Sequence, residues 1–337
     1  MKTYCSQKKK VVITGGAGFI GHHVVEHLLR KTNWDIYIID KLSYASFGLE
    51  RLRNCGAYPS PRVKVFPIDI TLPLTVGVQK EIGEDVNIII HMAAESHVDN
   101  SIENPRDFFH NNINGTVEML EYARTLKELE MFFYFSTDEV YGSAPDNVAY
   151  GEWDRHKPTN PYSASKSAAE NICIAYENTY KVPMMSINVM NAVGSRQHVE
   201  KFIPKTIKNV MEGKKVFIHS YPDKKRAGSR FYIHARNIAA AILFLFENGK
   251  IGEKYNIVGE QEVDNLELAQ IIADVIGKEL KYEMVDFHST RPGHDLRYSL
   301  SGEKMKTLGW ELPVNFEDSM KSTIEWTVTN TEWLEEK

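Results

Sequence analysis

A glycine-rich turn near the start of the chain constrains the fold more than any other feature. The run Thr14–Gly21 reads TGGAGFIG and joins an apolar, strand-like segment to an amphipathic, helix-like one. Glycines at Gly15, Gly18 and Gly21 would allow a tight turn, a close backbone approach to a diphosphate and close packing of helix on strand. The N-terminus of the following helix would add unpaired amides and the positive end of its dipole. The position of the turn therefore predicts a phosphate-binding βαβ unit.

An acidic residue after the next strand-like segment indicates which cofactor such a unit would bind. Asp40 lies 19 residues beyond Gly21, where a carboxylate would hydrogen-bond the adenosine ribose of a dinucleotide. That carboxylate would repel a phosphate on the ribose, so NAD is preferred over NADP, and the neighbouring Lys41 is the only counter-argument. Further cofactor contacts are predicted in the turn itself and after the third and fourth strand-like segments, at Phe19, Ile20, Asp69, Ile70, Ala93 and Ala94.

Short apolar runs alternate with amphipathic stretches along the chain, and this alternation predicts a doubly wound, Rossmann-type α/β fold. Continuous apolar strands between helices are typical of a parallel sheet that is buried on both faces. Strands are predicted at Val11–Thr14, Ile36–Asp40, Val63–Phe66, Val86–His91, Met131–Ser136 and Met184–Val189, and helices at His22–Arg30, Gly115–Thr125, Pro161–Tyr180, Ile238–Glu247 and Asn265–Ile276.

The alternation loosens after about Asn191 into basic and glycine-containing loops such as Asp223–Arg230. This change predicts a smaller α/β C-terminal lobe that would bind the second substrate. We expect the domains to have these bounds: an NAD-binding Rossmann domain at 8–190 with a returning segment at about 231–258, and a substrate lobe built from 191–230 and 259–330.

Composition and charge argue against several other classes of protein. A net charge of −5 is unlike the strongly basic surface of a nucleic-acid binder. The longest apolar stretches, such as Ile238–Phe246, are far shorter than the ~20 residues that cross a bilayer. The N-terminus has no apolar signal region, so we expect a cytoplasmic protein. Cys5, Cys55 and Cys173 lack the spacing of metal ligands, and no metal site is predicted.

A tyrosine and a lysine lie one helical turn apart in the predicted helix at Pro161–Tyr180. Tyr162 and Lys166 would project from the same face, because residues four apart are neighbours on a helix. The ammonium would stabilise the phenolate and lower the pKa of Tyr162 toward that of a useful general base. Such a spacing alone is more often a solvated helix face. Its place behind a dinucleotide-binding turn, with Ser136-Thr137 ending a strand upstream, favours catalysis.

Several motifs together resemble the extended short-chain dehydrogenase/reductase family over nearly the whole chain. They are Gly15-x-x-Gly18-x-x-Gly21, Asn112-x-x-Gly115-Thr116, Ser136-Thr137 and Tyr162-x-x-x-Lys166. Within that family the run Ser136–Gly142, STDEVYG, is similar to the nucleotide-sugar 4,6-dehydratases, and the dTDP-glucose 4,6-dehydratases are the nearest group. The supporting motifs are His97-Val98-Asp99, Glu200–Pro204 and Arg291–Asp295.

The resemblance implies a cofactor and a quaternary structure. The cofactor is NAD, and Asn112, Tyr162 and Lys166 are among the residues that surround it. The implied quaternary structure is a homodimer in which the helices at Gly115–Thr125 and Pro161–Tyr180 form a four-helix bundle. Their apolar stripes could equally belong to the core of a single chain, so the sequence leaves this alternative open.

Two adjacent carboxyls, Asp138 and Glu139, are the most diagnostic feature. Removing water across a carbon–carbon bond needs one group to take a proton and another to give one, and two carboxyls with different pKa values can divide these roles. The resemblance implies that Tyr162, with Thr137 bonded to the same hydroxyl, deprotonates the sugar's 4-hydroxyl as NAD⁺ accepts a hydride from carbon 4. Glu139 would then take the proton of carbon 5 while Asp138 protonates the departing 6-hydroxyl. Return of the hydride to carbon 6 would complete the reaction.

The resemblance also implies which residues of the chain bind the nucleotide sugar, namely His97, Thr137, Asn191, Lys201, Arg230 and Arg291. Asn191 matches a position that contacts the substrate diphosphate. Arg230 and Arg291 match arginines that hold diphosphate and nucleoside, a task that suits forked guanidinium donors. Departures from the family pattern cluster in the same region, at Val193, Ser195, His198-Val199 and the loop 222–229.

These departures leave the base of the nucleotide open between thymine and uracil. A UDP-glucose or UDP-N-acetylglucosamine 4,6-dehydratase is therefore an alternative. A nucleotide-sugar 4-epimerase or decarboxylase is a further alternative, although such relatives usually carry small residues, or Ser-Glu, in place of Asp138-Glu139. A non-catalytic NAD-binding protein is the remote alternative, since one fold can serve many functions. The joint presence of Thr137, Tyr162 and Lys166 with the acidic pair argues against it.

Overall fold

The computed structural model describes residues 7–286 and 296–335. The strands of the described residues are β1 (Lys10–Thr14), β2 (Asp35–Ile39), β3 (Val63–Phe66), β4 (Ile88–His91), β5 (Met131–Thr137), β6 (Met184–Val189), β7 (Asn191–Val193), β8 (Val216–Ser220), β9 (Ser229–His234), β10 (Lys254–Ile257), β11 (Glu262–Asp264) and β12 (Tyr282–Asp286). Their helices are α1 (Phe19–Lys31), α2 (Glu50–Asn54), α3 (Val76–Ile82), α4 (Val98–Glu103), α5 (Pro105–Phe109), α6 (Gly115–Thr125), α7 (Pro161–Tyr180), α8 (Phe202–Met211), α9 (Ala235–Asn248), α10 (Asn265–Ile276), α11 (Glu303–Thr307) and α12 (Phe316–Thr329).

A seven-stranded parallel sheet forms the centre of the large lobe. Its strand order is β10-β6-β5-β4-β1-β2-β3, and every neighbouring pair is parallel. The chain leaves β1 toward β2 and β3, and it then crosses back to β4, so the order reverses between β1 and β4. A reversal of this kind opens a crevice at the carboxyl ends of the strands, where open α/β sheets bind ligands. The predicted Rossmann-type fold is confirmed.

Alternate side chains of the central strands enter two apolar layers, one on each face of the sheet. In β1, Val11 and Ile13 pack in the layer formed with α1 and α9, whereas Val12 packs in the opposite layer with α6 and α7. This is the period of two that a strand imposes on its side chains. Because both faces are covered, the strands are apolar throughout, which is why their sequence identified them.

The small lobe contains a three-stranded sheet of order β11-β9-β7 and the two-stranded sheet β12-β8. Helices α8, α10 and α12 pack on the three-stranded sheet around an apolar cluster. The segment expected to return at about 231–258 contributes α9 and β10 to the large lobe, but Phe231–His234 lies in β9 of the small sheet. Arg230, predicted in a loop, also lies in β9, because it pairs with Val263 of β11. The change of lobe therefore occurs at His234.

The described residues contain neither a helix suited to span a membrane nor a cluster of side chains suited to hold a metal ion. No helix in 7–286 or 296–335 combines the length and the apolar character that a membrane span requires. The same residues contain no group of three or more His, Cys, Asp or Glu side chains arranged to hold a metal ion.

Candidate active site

A cavity of about 770 Å³ lies in the crevice at the carboxyl ends of the parallel strands. It runs from the glycine-rich turn, past the end of β5 and the start of α7, to α8 and β9 of the small lobe. The predicted site residues that line it are Gly15, Gly18, Phe19, Ile20, Gly21, Asp40, Lys41, Asp69, Ile70, Ala93, Ala94, His97, Thr137, Asp138, Glu139, Tyr162, Lys166, Asn191, Lys201 and Arg230. Arg291 lies outside the described residues, and Asn112 does not line the cavity.

The glycine-rich turn has the backbone geometry that requires glycine at two of its positions. Gly15 has a φ of +71°, and a Cβ atom on it would lie 2.8 Å from the backbone nitrogen of Ala93. A Cβ atom on Gly21 would lie 2.8 Å from the Cα of Gly16, so α1 packs directly on the turn. Gly18 is the N-cap of α1 and makes no side-chain cap, and the first turn of α1 contains no acidic residue. The first amides of α1, which have no side-chain cap, are therefore suited to an anionic ligand, whereas the amides of Gly15, Ala17 and Gly18 already donate within the chain.

Asp40 follows β2 directly and joins the glycine-rich turn to the next loop. Its Oδ2 accepts a hydrogen bond from the Ala17 amide at 3.0 Å, and its Oδ1 accepts one from the Leu42 amide at 2.8 Å. The Lys41 ammonium donates to Glu95 Oε1 at 2.7 Å, so its charge is balanced within the chain. This pairing weakens the counter-argument that Lys41 would attract a ribose phosphate.

The N-terminus of α7 positions Tyr162 and Lys166 in the wall of the cavity. Asn160 and Ser163 form a reciprocal capping box, which makes the helix begin at this point. The Lys166 Nζ lies 4.5 Å from the centre of the Tyr134 ring on β5. Burial lowers the pKa of Lys166 to about 8. The lysine is therefore a buried cation whose charge depends on its surroundings.

The expectation that Lys166 lowers the pKa of Tyr162 is wrong for the chain by itself. Burial raises the pKa of the Tyr162 phenol, and the charges of Glu139 and Asp138 raise it further. A hydrogen bond with the Thr137 side chain acts in the opposite direction. The sequence places the lysine one turn away, but burial and two nearby carboxyls set the direction of the shift in the pKa of Tyr162.

The two adjacent carboxyls after β5 lie in different environments. Asp138 is only 4% exposed, and burial followed by the charge of Glu139 raises its pKa to about 7. Its Oδ1 accepts a hydrogen bond from the Thr137 hydroxyl at 2.9 Å. Glu139 Oε2 instead accepts from the Asn160 amide at 3.2 Å and from the Tyr298 hydroxyl at 3.3 Å. The first carboxyl is suited to give a proton near neutral pH, and the second is surrounded by donors, as a carboxylate requires.

Arg230 faces the acidic pair from the small lobe. Its Nη1 donates to the carbonyl oxygens of Ser229 at 2.7 Å and Leu296 at 2.6 Å. Its guanidinium carbon lies 4.6 Å from the centre of the Tyr298 ring, and its charge opposes the rise in the pKa of Asp138. β9 therefore brings a positive charge to the part of the cavity that contains Asp138.

Two further residues expected to bind substrate, His97 and Lys201, lie close to Glu200, which belongs to the motif Glu200–Pro204. Glu200 Oε2 lies 3.9 Å from His97 Nε2, and Glu200 Oε1 lies 3.5 Å from Lys201 Nζ. Asn191 is the first residue of β7 and also lines the cavity. His97, Glu200 and Lys201 form a cluster of mixed charge in the cavity wall.

Asn112 does not line the cavity but supports its wall from behind. Its Oδ1 accepts from the Glu95 amide at 2.8 Å, and its Nδ2 donates to Ser165 Oγ of α7 at 2.8 Å. It lies in a π-helical turn at His110–Asn114, a feature that often occurs near functional sites. The side chain thus ties the Glu95 segment to the helix that carries Tyr162.

Sequence reasoning missed two residues that contact Glu139. Asn160 could have been found, because an asparagine before a proline is a common signal for a helix start. Tyr298 left no signal, since it reaches Glu139 from a segment 159 residues away.

The glycine-rich turn, the acid after β2 and the Tyr162–Lys166 pair line one crevice, and this arrangement is typical of dinucleotide-dependent enzymes of the extended short-chain dehydrogenase/reductase type. The sequence model of one family, described as GDP-mannose 4,6 dehydratase, matches residues 12–323. The chain belongs to this family, and the predicted membership of the nucleotide-sugar 4,6-dehydratase branch is confirmed.

Two relatives illustrate the range of the similarity. The chain is 35% identical over 349 residues to the dTDP-glucose 4,6-dehydratase of Shigella flexneri, with 97% of this chain and 94% of that protein covered. It is 36% identical over 329 residues to a trifunctional UDP-glucose 4,6-dehydratase/UDP-4-keto-6-deoxy-D-glucose 3,5-epimerase/UDP-4-keto-L-rhamnose-reductase of Arabidopsis thaliana. That alignment covers 96% of this chain but 48% of the longer plant protein, so the chain spans about half of it.

Solved structures agree with the same fold. The dTDP-glucose 4,6-dehydratase of Streptomyces venezuelae, with NAD bound, has a TM-score of 0.86 and 33% identity, over 97% of this chain and 99% of that one. The UDP-glucose 4-epimerase of Thermus thermophilus, in complex with NAD, has a TM-score of 0.82 and 26% identity, over 94% and 98% of the two chains.

Proposed function

We propose that this chain is an NAD-dependent hydro-lyase that converts dTDP-glucose to its 4-keto-6-deoxy sugar nucleotide and water. The observation that carries the proposal is the acidic pair. A buried Asp138 whose pKa is raised to about 7 lies beside a Glu139 that accepts two hydrogen bonds, in the same cavity as Tyr162 and Lys166. Elimination of water needs such an acid and such a base, whereas an epimerase has no use for an elimination acid.

The residues of the cavity fit a bound NAD. The backbone at Gly15 leaves no room for a side chain, the first turn of α1 contains no acid, and Asp40 faces the cavity with the charge of Lys41 already paired. When bound, NAD supplies a reversible hydride acceptor. Gly15, Gly18, Phe19, Ile20 and Gly21 would hold its diphosphate, and Asp40 its adenosine ribose.

Within this proposal the chain's own side chains move three protons. Tyr162, hydrogen-bonded to Thr137, takes the proton of the 4-hydroxyl while the carbonyl forms at carbon 4. The new ketone acidifies carbon 5, whose proton passes to Glu139. Asp138 gives its proton to the departing 6-hydroxyl, which leaves as water. When carbon 6 is reduced, the Glu139 carboxyl returns a proton, exchangeable with solvent, to carbon 5. The cationic Lys166 must offset the cost of a phenolate at Tyr162, since burial and the carboxyls oppose it.

The base of the nucleotide, thymine or uracil, is a separate part of the proposal. The bacterial relative, which acts on dTDP-glucose by name, matches along 94% of its length, and this favours thymine. The plant relative is equally similar at 36%, and it keeps UDP-glucose as the second candidate. His97, Asn191, Lys201, Arg230 and Arg291 are proposed to bind the sugar nucleotide, with Arg291 assigned from the sequence motif only.

Proton NMR in D₂O tests the proposal directly. The purified protein is incubated separately with dTDP-glucose, UDP-glucose and UDP-N-acetylglucosamine, first without and then with added NAD. We expect a new 6-methyl signal with deuterium at carbon 5, formed fastest from dTDP-glucose. Faster turnover of a UDP sugar would transfer the assignment to that nucleotide. Inversion at carbon 4 with the 6-hydroxyl retained would make the protein an epimerase, and no reaction with any of them would contradict the proposed substrates.

We further propose that the protein is a cytoplasmic homodimer assembled through α6 and α7. These helices pack side by side on one face of the large sheet. Sedimentation equilibrium of the purified protein should give twice the chain mass, and a monomer at micromolar concentration would contradict this proposal.

A further inference from the structure

Arg51 is a buried cation in the wall of the cavity with no role assigned so far. It lies in α2, its side chain is 0% exposed, and it lines the cavity together with the glycine-rich turn and Asp40. Burying a guanidinium in such a place costs free energy, because a buried charge requires a counter-charge and hydrogen-bond partners.

The contacts of Arg51 leave part of its guanidinium unused. Nε donates to the carbonyl oxygen of Arg196 at 2.9 Å, and Nη1 donates to the carbonyl oxygen of Ala45. Nη2 is buried and has no hydrogen-bond partner among the described residues. Within 7–286 and 296–335, the ion pairs found do not include Arg51, whereas its neighbour Arg53 pairs with Glu50 at 2.8 Å.

Two carboxylates, Asp40 and Glu200, act on the buried charge of Arg51, but neither forms an ion pair with it among the described residues. Burial lowers the pKa of the guanidinium to about 9, and the charge of Arg196 also acts to lower it. Asp40 and Glu200 are close enough to act in the opposite direction. Both oxygens of Asp40 already accept hydrogen bonds from backbone amides, and Glu200 lies within 4.0 Å of His97, His198 and Lys201. Burial, and after it the charge of Arg51, lowers the pKa of His22 in the first turn of α1, so the charge of Arg51 acts at the end of the helix that adjoins the glycine-rich turn.

We propose that the Arg51 guanidinium binds the diphosphate of the dinucleotide cofactor. The phosphates are the only anionic groups of NAD, and the first turn of α1 offers its amides at the same end of the cavity. The free Nη2 would donate to a phosphate oxygen, and the phosphate charge would compensate the buried cation. Arg51 also holds the turn at Ala45 and the loop at Arg196 through Nη1 and Nε, so the group is held in place before the ligand binds.

This inference rests on the cofactor part of the proposed function and is independent of the sugar nucleotide. Its test is therefore a binding measurement that needs no turnover. The full chain is freed of nucleotide by charcoal treatment, and the dissociation constants of NAD⁺, ADP and adenosine are measured by calorimetry or NMR titration for the wild type and Arg51→Met.

We expect Arg51→Met to weaken NAD⁺ and ADP by a similar factor of about 10 to 100, as for the loss of one charged hydrogen bond, and to leave adenosine within about twofold. Arg53→Met is the matched control, because that side chain lies on the same helix, is 55% exposed and pairs with the exposed Glu50. It should bind all three ligands as the wild type does.

Two results would overturn the inference. One is an Arg51→Met protein that binds ADP as the wild type does, which would leave Arg51 a purely structural residue. The other is an equal loss for adenosine and ADP, which would mean that the substitution deforms the nucleoside site. If circular dichroism shows Arg51→Met to be unfolded, Arg51→Lys carries the test: it should weaken ADP several-fold but not adenosine, and an equal effect on both would again contradict the inference.

Discussion

At the scale of single residues, the main feature of the site is a pair of neighbouring carboxyls, Asp138 and Glu139, that lie in different environments. Asp138 lies out of solvent beside another acid, and the pKa of its carboxyl is raised to about 7. Glu139, one residue further along the 3₁₀ turn, turns toward donors from α7 and from the C-terminal segment. In the proposed reaction, a difference of one residue in position therefore separates the proton donor from the proton acceptor.

The raised pKa of Asp138 gives a prediction for pH dependence. A general acid acts in its protonated form, so the elimination step should slow as the pH rises through about 7. Asp138→Asn should slow elimination by about 10²- to 10⁴-fold, remove this pH dependence and leave oxidation at carbon 4 measurable. Stopped-flow absorbance of reduced nicotinamide should therefore rise and persist in the variant.

The exposed carboxyl of Asp274 provides the control, and Asp274→Asn should behave as the wild type. Wild-type elimination by Asp138→Asn would remove Asp138 from the role of acid.

At the scale of elements, the close packing of α1 on the turn after β1 explains why glycines recur there. Gly21 lies inside α1, where glycine is usually unfavourable compared with alanine. It is tolerated because any side chain would meet the backbone of Gly15 and Gly16. The helix can then approach the turn closely enough for its first amides to face the cavity.

Gly21→Ala tests this packing. A methyl group there must move backbone atoms, so we expect a loss of about 1–3 kcal/mol in the free energy of unfolding and weaker binding of NAD. Urea unfolding and calorimetry measure the two effects. The control is Gly77→Ala in α3, where the nearest atom to an added Cβ is 4.0 Å away. It should stabilise the protein by up to about 1 kcal/mol through helix propensity. If Gly21→Ala behaved as Gly77→Ala does, the proposed close contact would be wrong.

At the scale of the whole molecule, a buried ion pair connects the edge strand β10 to α7, the helix that carries Tyr162 and Lys166. Lys254 of β10 lies 2.5 Å from Glu170 of α7, with side chains that are 4% and 0% exposed. His156 Nε2 lies 3.5 Å from the same glutamate. Glu170 follows Lys166 by one helical turn, so the pair connects the edge of the sheet to the site.

Lys254→Met should therefore destabilise the protein by about 3 kcal/mol, because it leaves the Glu170 carboxylate buried without its cation. Urea unfolding measures the change. The double variant Glu170→Gln with Lys254→Met should recover much of the loss. Lys306→Met is the surface control, since Lys306 and Glu303 are 78% and 79% exposed and 4.0 Å apart, and it should change stability by less than about 0.5 kcal/mol. A similar small effect for Lys254→Met would show that the buried pair is not needed.

The sequence was sufficient for features that depend on neighbouring residues. The glycine-rich turn, the acid after β2, the helical spacing of Tyr162 and Lys166, and the apolar strands each follow from local backbone geometry or from a short period. For the same reason the sequence could have identified Asn160 as the N-cap of α7, since a helix cap is a local signal.

Tertiary structure alone decided the electrostatics of the site and several of its partners. The pKa of Tyr162 depends on burial and on Glu139 and Asp138, so a spacing rule predicted the wrong direction. Tyr298 and Arg51 come to the cavity from segments that no local pattern connects with it. Local geometry is encoded by adjacent residues, whereas burial and charge at a point sum over every segment that packs around it. The sequence therefore determined the fold class and the reaction type, and the packing of the lobes decided which groups hold protons and which face the cofactor.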